Sequence, residues 1–284
     1  MAPTINTVTD WFAQDALEQQ LSAQSYSVKQ WRDGRFKQVT DQLAEEVPIA
    51  LVYNGVSHAV MLASPQDLED FALGFSLTEG ILQKKSDLYA VEIQTHHNGI
   101  ELHLEIATEQ FVNLKARRRS LVGRTGCGLC GAESLSQVFR LPETDATADT
   151  PHTTIAMHSV FKAHQAMQSL QQLQRVTGAT HACAWAQTNG DIGLLREDVG
   201  RHNALDKLIG ALAKQEQQGG FILTTSRASY EMVQKVAMAG FDLLAAISAP
   251  TGLAVRIAEA SRITLLGFVR NQQLVAYSHA DRMI

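Results

Sequence analysis

The stretch Phe221–Val269, FILTTSRASYEMVQKVAMAGFDLLAAISAPTGLAVRIAEASRITLLGFV, decides the fold. Short apolar runs alternate in it with segments of helical period. Phe221–Thr225, Leu243–Ser248 and Ile263–Val269 read as strands, and Tyr230–Ala239 and Gly252–Ala260 as helices. Repeated strand-helix units imply a layered α/β sheet with helices on its faces. The pattern continues upstream. A long amphipathic helix is predicted over His158–Thr177 with Gly178 as its cap. Strands at 180–187 and 191–196 flank the Asn189-Gly190 turn, and a helix runs from His202 to about Gln217.

The first half of the chain is patterned differently. Pro48–Tyr53 and Val56–Leu62 read as strands joined by Asn54-Gly55, a strong hairpin signal. Ser64-Pro65-Gln66-Asp67 then opens a helix with Ser64 as N-cap and proline in the first turn, and Gly80 closes it. A second hairpin runs through Tyr89–Thr95, turns at His97-Asn98-Gly99 and returns through Ile106. The expected organisation is a flexible leader over 1–24, a small α+β domain over 25–118, and an α/β domain over 119–284 that begins with the cysteine-bearing loop.

Composition bounds the function. At 284 residues the chain is long enough for one large domain or two modest ones. Hydrophobic residues make up 45% and charged residues 19%, as in an ordinary soluble globular protein. A net charge of −5 and a pI near 6.1 argue against a general nucleic-acid binder. There is no apolar run of membrane-spanning length, and the N-terminus lacks the basic start and apolar core of a signal peptide. The expected compartment is the cytoplasm, where three cysteines are reactive or buried thiols rather than disulfides.

Chemistry is expected in Arg117-Arg118-Arg119-Ser120-Leu121-Val122-Gly123-Arg124-Thr125-Gly126-Cys127-Gly128-Leu129-Cys130-Gly131. A thiol reacts as its thiolate, and neighbouring cations or a helix N-terminus lower its pKa from about 8.5 to somewhere between about 3.5 and 7.5. Arg124 and the arginine triplet supply the cations, and Ala132–Phe139 reads as a helix beginning beside the thiols. Glycines 123, 126, 128 and 131 remove side-chain bulk, so a large partner can approach the sulfur.

Other readings of this pair compete. Structural zinc needs four ligands, and no second Cys-x-x-Cys or His-x3-His pair exists. His181 and Cys183 could complete a site, but Thr180–Ala186 looks like a strand whose cysteine is a small core residue. A zinc deaminase would use H-x-E followed by P-C-x-x-C. His103-Leu104-Glu105 precedes Cys127 and Cys130, yet Gly126 replaces the proline, and Ile100, Leu102, Leu104 and Ile106 alternate with polar residues as in a half-exposed strand. A thioredoxin-type pair is expected at the first strand-to-helix junction of its fold, not in mid-chain.

Polar clusters also fall at the strand ends: Arg196–Asn203, Thr224–Arg227 and Ser248–Gly252. Their Ser, Thr and Asp residues serve as N-caps individually. Three such junctions on one edge of a sheet, two with arginine, favour an anion or nucleotide site. His202 is open between a capping histidine and an acid or base. Met157, Met167, Met232, Met238 and Trp185 read as core.

Four motifs together carry a family resemblance: Gly126–Gly131, Arg196–Lys207, Ser226–Glu231 and Leu266–Arg270. Over about residues 30 to 284 the chain resembles the formate dehydrogenase accessory sulfurtransferase family (FdhD/NarQ). The resemblance implies a cytoplasmic homodimeric sulfur carrier. Such a carrier accepts sulfane sulfur from a cysteine desulfurase. It passes the sulfur to the molybdenum or tungsten of a bis-molybdopterin guanine dinucleotide cofactor before insertion into the formate dehydrogenase catalytic subunit. It further implies a cytidine-deaminase-like layered α/β/α fold for the larger domain, without the deaminase zinc site, beside the smaller α+β N-terminal domain. By position, Cys127 matches the persulfide-bearing cysteine and Cys130 its partner. The loop after the strand ending at Gly267, namely Phe268, Val269, Arg270, Asn271, Gln272 and Gln273, matches the cofactor-binding segment. The rival from another class is a non-catalytic chaperone that binds and delivers the cofactor.

Overall fold

The computed structural model describes residues 21–119 and 154–284. Most of the expected leader, Arg124, Cys127, Cys130 and the helix expected at 132–139 lie outside the described residues.

In chain order the elements are β1 (Ala23–Arg32), β2 (Arg35–Ala44), β3 (Val47–Tyr53), β4 (Val56–Ala63), α1 (Leu68–Thr78), β5 (Leu88–His96), β6 (Gly99–Ile106), α2 (Thr108–Arg119), α3 (Met157–Leu170), α4 (Gln172–Thr177), β7 (His181–Ala186), β8 (Ile192–Asp198), α5 (Arg201–Lys214), β9 (Phe221–Thr224), α6 (Tyr230–Met238), β10 (Leu243–Ala246), α7 (Gly252–Ala260), β11 (Thr264–Arg270) and β12 (Gln273–Ser278).

The larger domain is built on a six-stranded sheet of order β12-β11-β10-β9-β7-β8. β9, β10 and β11 are parallel, while β7 and β12 run against their neighbours, so β8 shares the direction of the parallel trio. Each sheet face has its own apolar layer. Leu205, Leu208, Met232, Val236, Ala254 and Ile257 of α5, α6 and α7 pack on Cys183, Ile222, Leu244 and Leu265. Val160, Ala163 and Met167 of α3 pack on the opposite faces of β7, β9, β10 and β11. The result is the expected α/β/α layering. The crossovers β8-α5-β9, β9-α6-β10 and β10-α7-β11 all advance across the sheet in one direction with their helices on one face, as right-handed crossovers demand.

The smaller domain is a four-stranded sheet, β4-β3-β6-β5, with α1 and α2 on its inner face. Ile100, Leu102, Leu104 and Ile106 all point into that core, as alternation requires. His103 faces outward and bonds Glu101 at 2.9 Å. The H-x-E triplet is therefore strand, and among the described residues no group of three His, Cys, Asp or Glu side chains could hold a metal.

Several expectations are corrected. Strand begins at Ala23, two residues inside the expected leader, and β1 and β2 form a separate two-stranded ribbon. The single helix expected over His158–Thr177 is two helices, because Gln171 takes ψ of 91° between them. Gly178 ends the second as expected, at φ 68° with its N–H donated to the Gln174 carbonyl. Ser64 is not an N-cap: Asp67 precedes α1, and Ser64 is taken up by the junction between the domains. Met157 is exposed rather than core.

That junction is dense. At the crossing of α1 and α5, a Cβ on Gly74 would run into the Asp206 carbonyl, and one on Gly210 into the Asp70 carbonyl. Two glycines thus set the approach of the helices. Around them lie buried charges. Lys207 bonds Asp198 at 2.6 Å and the Ser64 carbonyl at 2.8 Å, and Asp198 also accepts from the Ser64 N–H at 3.0 Å. Lys235 reaches both Asp206 oxygens, at 2.9 and 3.0 Å, and Thr78 and Glu79 of the smaller domain at 3.0 and 3.1 Å.

Candidate functional site

Because β8, β9, β10 and β11 are co-directional, the junctions after them open on one edge of the sheet. The three polar clusters do meet there. The Thr251 N–H donates to the Ala228 carbonyl at 3.0 Å, the Ile247 N–H to Thr224 at 3.2 Å, and the Phe268 N–H to Ser248 at 3.3 Å. Thr251 caps α7 by accepting the Ala254 N–H at 3.2 Å, so the N-cap reading holds for that residue.

Part of the first cluster is structural rather than ligand-binding. Arg196 makes two bonds to Asp70 of α1, at 2.9 and 2.7 Å. Glu197 caps α4 through the N–H groups of Leu173 and Gln174, at 2.9 and 2.8 Å. Asp198 belongs to the domain junction, and Asn203 bridges Asp198 and the Leu62 carbonyl. These partners lie in other elements, so nothing local announced them.

What remains at the edge is titratable. His202 at the start of α5 places Nε2 2.8 Å from the Glu231 carboxylate and 3.4 Å from the Ser229 hydroxyl. The His202 hydrogen bond, offset in part by burial, holds the Glu231 carboxyl below its ordinary value. His181 at the start of β7 is held below the usual imidazole value by burial and by Arg201 and His202. Arg227 is exposed, and the N-termini of α5, α6 and α7 open on the same edge. Cations and helix N-termini so grouped can receive an anion such as a phosphate. Glu231 and Ser229 carried no signal beyond their motif; only the fold shows that they face His202.

The segment 268–273 is not a loop beyond a finished strand. β11 continues to Arg270, turns at Asn271-Gln272, both at positive φ, and returns as β12 from Gln273. Register breaks between Gly267 and Arg270, and Phe268 sits at φ 52°, an unusual conformation for a bulky residue. The bulge turns the Phe268 ring outward, with the Arg270 guanidinium 5.9 Å from its centroid. Gly267 permits this, since a Cβ there would press on Tyr277 and Pro250 at 2.8 and 3.0 Å. Phe268, Arg270, Gln272 and Gln273 line a cleft of about 560 Å³ with Met157, Phe161, Leu274 and Val275. Two of the six expected residues are not part of this lining: Asn271 is exposed in the turn, and the Val269 side chain is buried in the core beneath α3.

Of the three cysteines only Cys183 is among the described residues. It is fully buried on β7, and burial pushes its thiol up to about 12. This is the core residue that its strand pattern predicted.

A model of the FdhD/NarQ family matches residues 44–284. The chain belongs to the FdhD/NarQ family. Among FdhD/NarQ relatives, the sulfur carrier protein FdhD of Cupriavidus necator is 57% identical over 261 residues, covering 91% of this chain and 89% of that one. The sulfur carrier protein FdhD of Bordetella petrii is 54% identical over 246 residues, covering 86% and 87%. A solved structure from Desulfotalea psychrophila, assigned as a formate dehydrogenase accessory protein, superposes with a TM-score of 0.71 at 21% identity, over 93% of this chain and all of that one. At that identity it speaks to the fold alone. Among the described residues no helix is long and apolar enough to cross a membrane.

Proposed function

We propose that this chain is a sulfur carrier in the maturation of formate dehydrogenase, working through a persulfide on Cys127. The observation that carries the reading is the burial of Cys183, whose thiol at about 12 is closed to chemistry. In a chain with three cysteines, sulfur transfer then falls to Cys127 and Cys130. The name shared by relatives at more than half identity supports the same reading.

The Cys127 thiolate attacks the outer sulfur of a cysteine desulfurase persulfide. A Cys127–sulfur bond forms, the donor's S–S bond breaks, and the donor leaves as its thiolate. No net oxidation occurs, and the product Cys127–S–SH is reversible by reductant. Arginines 117–119 and 124 favour the thiolate and the persulfide anion. When Cys130 attacks Cys127 Sγ, the outer sulfur leaves as hydrosulfide for the metal, and a Cys127–Cys130 disulfide remains for a cellular dithiol to reopen. Such a cycle belongs to the reducing cytoplasm.

The cargo that receives the sulfur is the molybdenum of bis-molybdopterin guanine dinucleotide. Its phosphates suit the carboxyl edge of the sheet, with Arg201, Arg227 and three helix N-termini. Its guanine bases suit the Phe268–Arg270 cleft, where an aromatic face and a guanidinium offer stacking. The client is the formate dehydrogenase catalytic subunit, and the carrier works as a homodimer.

Formate dehydrogenase matured with Cys127→Ala in place of the native carrier should be inactive for want of cofactor sulfur. Full retained activity would sink the assignment. Retained cofactor delivery with no sulfur on either cysteine would favour the delivery chaperone instead.

A further inference from the structure

A cleft of about 710 Å³ opens where the base of the β1–β2 ribbon meets α3, α4 and β8. β8 is the outermost strand of the six-stranded sheet and is bonded to β7 alone. Side chains alternate between the faces of a strand, so a lining of consecutive residues, Ile192–Leu195, means that the cleft meets β8 edge-on. Gly193 keeps that edge bare, since a Cβ there would run into the Trp185 ring. Open strand edges are ordinarily protected by charge, by proline or by a covering element. Ile192-Gly193-Leu194-Leu195 has neither charge nor proline. The rim adds Leu21, Leu170 and Val176, which are 38%, 45% and 51% exposed. An apolar rim around an apolar strand edge marks a surface that something covers.

The polar groups that border the cleft are engaged with one another. The Ser22 hydroxyl donates to Gln66 at 2.7 Å, and the Gln66 amide donates to the Glu197 carbonyl at 3.2 Å. Asp67 lies 3.6 Å from Arg196, and the Glu197 carboxylate is taken up by the start of α4. A sugar or an anion would find few partners here, whereas apolar side chains would find many. The chain itself supplies them. Leu21 is part of the cleft wall, and the residues just upstream of it, Thr9–Gln20, contain no glycine or proline. Their pattern has helical period: Ala13 and Leu17 fall in line with Leu21, and Phe12 with Ala16, on one apolar face. Thr9 stands at the N-cap position, with Asp10 in the first turn. Such a helix is about 16 Å long and needs no linker to reach the cleft.

We propose that residues 9–20 are a strap, an amphipathic helix folded back onto this cleft so that Phe12, Ala16 and Leu17 cover Leu170, Val176 and the edge of β8. Attachment at Leu21 selects this occupant over a separate partner, because a tethered segment meets its site at an effective concentration on the order of millimolar. The strap lies upstream of the family match, which begins at residue 44, so it is an addition to the family core. It braces the ribbon. A two-stranded ribbon without a packed face is at best marginally stable in water, and the base of this one, Ser22 and Ala23, borders the cleft. The contact is independent of the sulfur chemistry.

The test places the photocrosslinking residue p-benzoylphenylalanine at position 12 of the full chain and irradiates an equimolar mixture of ordinary and heavy-nitrogen-labelled chains. The expected products are single-isotope peptide pairs joining position 12 to residues 170–176 or 192–195. Products of mixed isotope, products mapping elsewhere, or none would overturn the proposal. A second measurement follows amide hydrogen exchange in the full chain carrying Phe12→Ser with Leu17→Ser. Both positions precede the two domains, so the variant keeps their fold. Exchange at residues 23–44 and 192–195 should quicken several-fold over the native chain. Unchanged exchange there would overturn the strap as surely as a missing crosslink.

Discussion

At the scale of the residue, environment decides which groups are reactive. A thiol near 12 is thiolate at pH 8 to about one part in ten thousand, against roughly a quarter for an ordinary cysteine. Native alkylation should therefore leave Cys183 unlabelled, and a Cys127→Ala/Cys130→Ala variant should take up label only after denaturation; native labelling of that variant would contradict the burial. His164 tests electrostatics in the same way. It is buried on α3 with Nε2 lacking a hydrogen-bond partner, and burial holds its pKa below the ordinary value. The unfolded chain, titrating near ~6.5, then takes up a proton that the folded chain refuses. Stability should fall as pH drops below about 6.5, with a slope from this group of at most about 1.4 kcal/mol per pH unit, and His164→Leu should flatten the curve in urea titrations from pH 7.5 to 5.5. An unchanged slope would assign the loss elsewhere. The core role of Cys183 was legible in its apolar strand. The structural role of Arg196 and Asp198 was not, because Asp70 and Ser64 lie 126 and 134 positions away.

At the scale of the element, periodicity was legible where one face is buried and illegible elsewhere. β9-α6-β10-α7-β11 follows its pattern within a residue or two, since each strand is buried and each helix has one apolar face. The β1–β2 ribbon has no buried face, so its polar sequence carries no alternation to read. The break at Gln171 has no glycine or proline to signal it. The bulge at Phe268 arises from register against β12, which a single strand cannot reveal. The α1–α5 crossing gives a sharp test. Gly74→Ala gains about 1 kcal/mol of helix propensity, yet its Cβ meets the backbone carbonyl of Asp206, which cannot move aside. Overpacking of this kind costs about 1–3 kcal/mol, so the net effect should be a lower Tm in calorimetry. A raised Tm would show that the helices separate freely.

At the scale of the whole molecule, the two domains act as one unit because charges are buried between them. Lys207 has no exposed surface, and its partners are Asp198 and a carbonyl of the other domain. Removing one member of a buried pair costs about 3–5 kcal/mol, so Lys207→Ala should unfold both domains together at lower urea. Two separate transitions would contradict a shared junction. The sequence showed two patterns, and it placed three polar strand ends on one edge of the sheet, but not that the two domains meet in a charged seam, because Lys207, Asp198 and Ser64 come together only across the fold. The carrier role itself is tested most directly by intact mass after incubation with a cysteine desulfurase and cysteine, with peptide mapping of residues 124–131. The account predicts one added sulfur on Cys127, removed by reductant and absent from Cys127→Ala. No added sulfur on the native chain would contradict it.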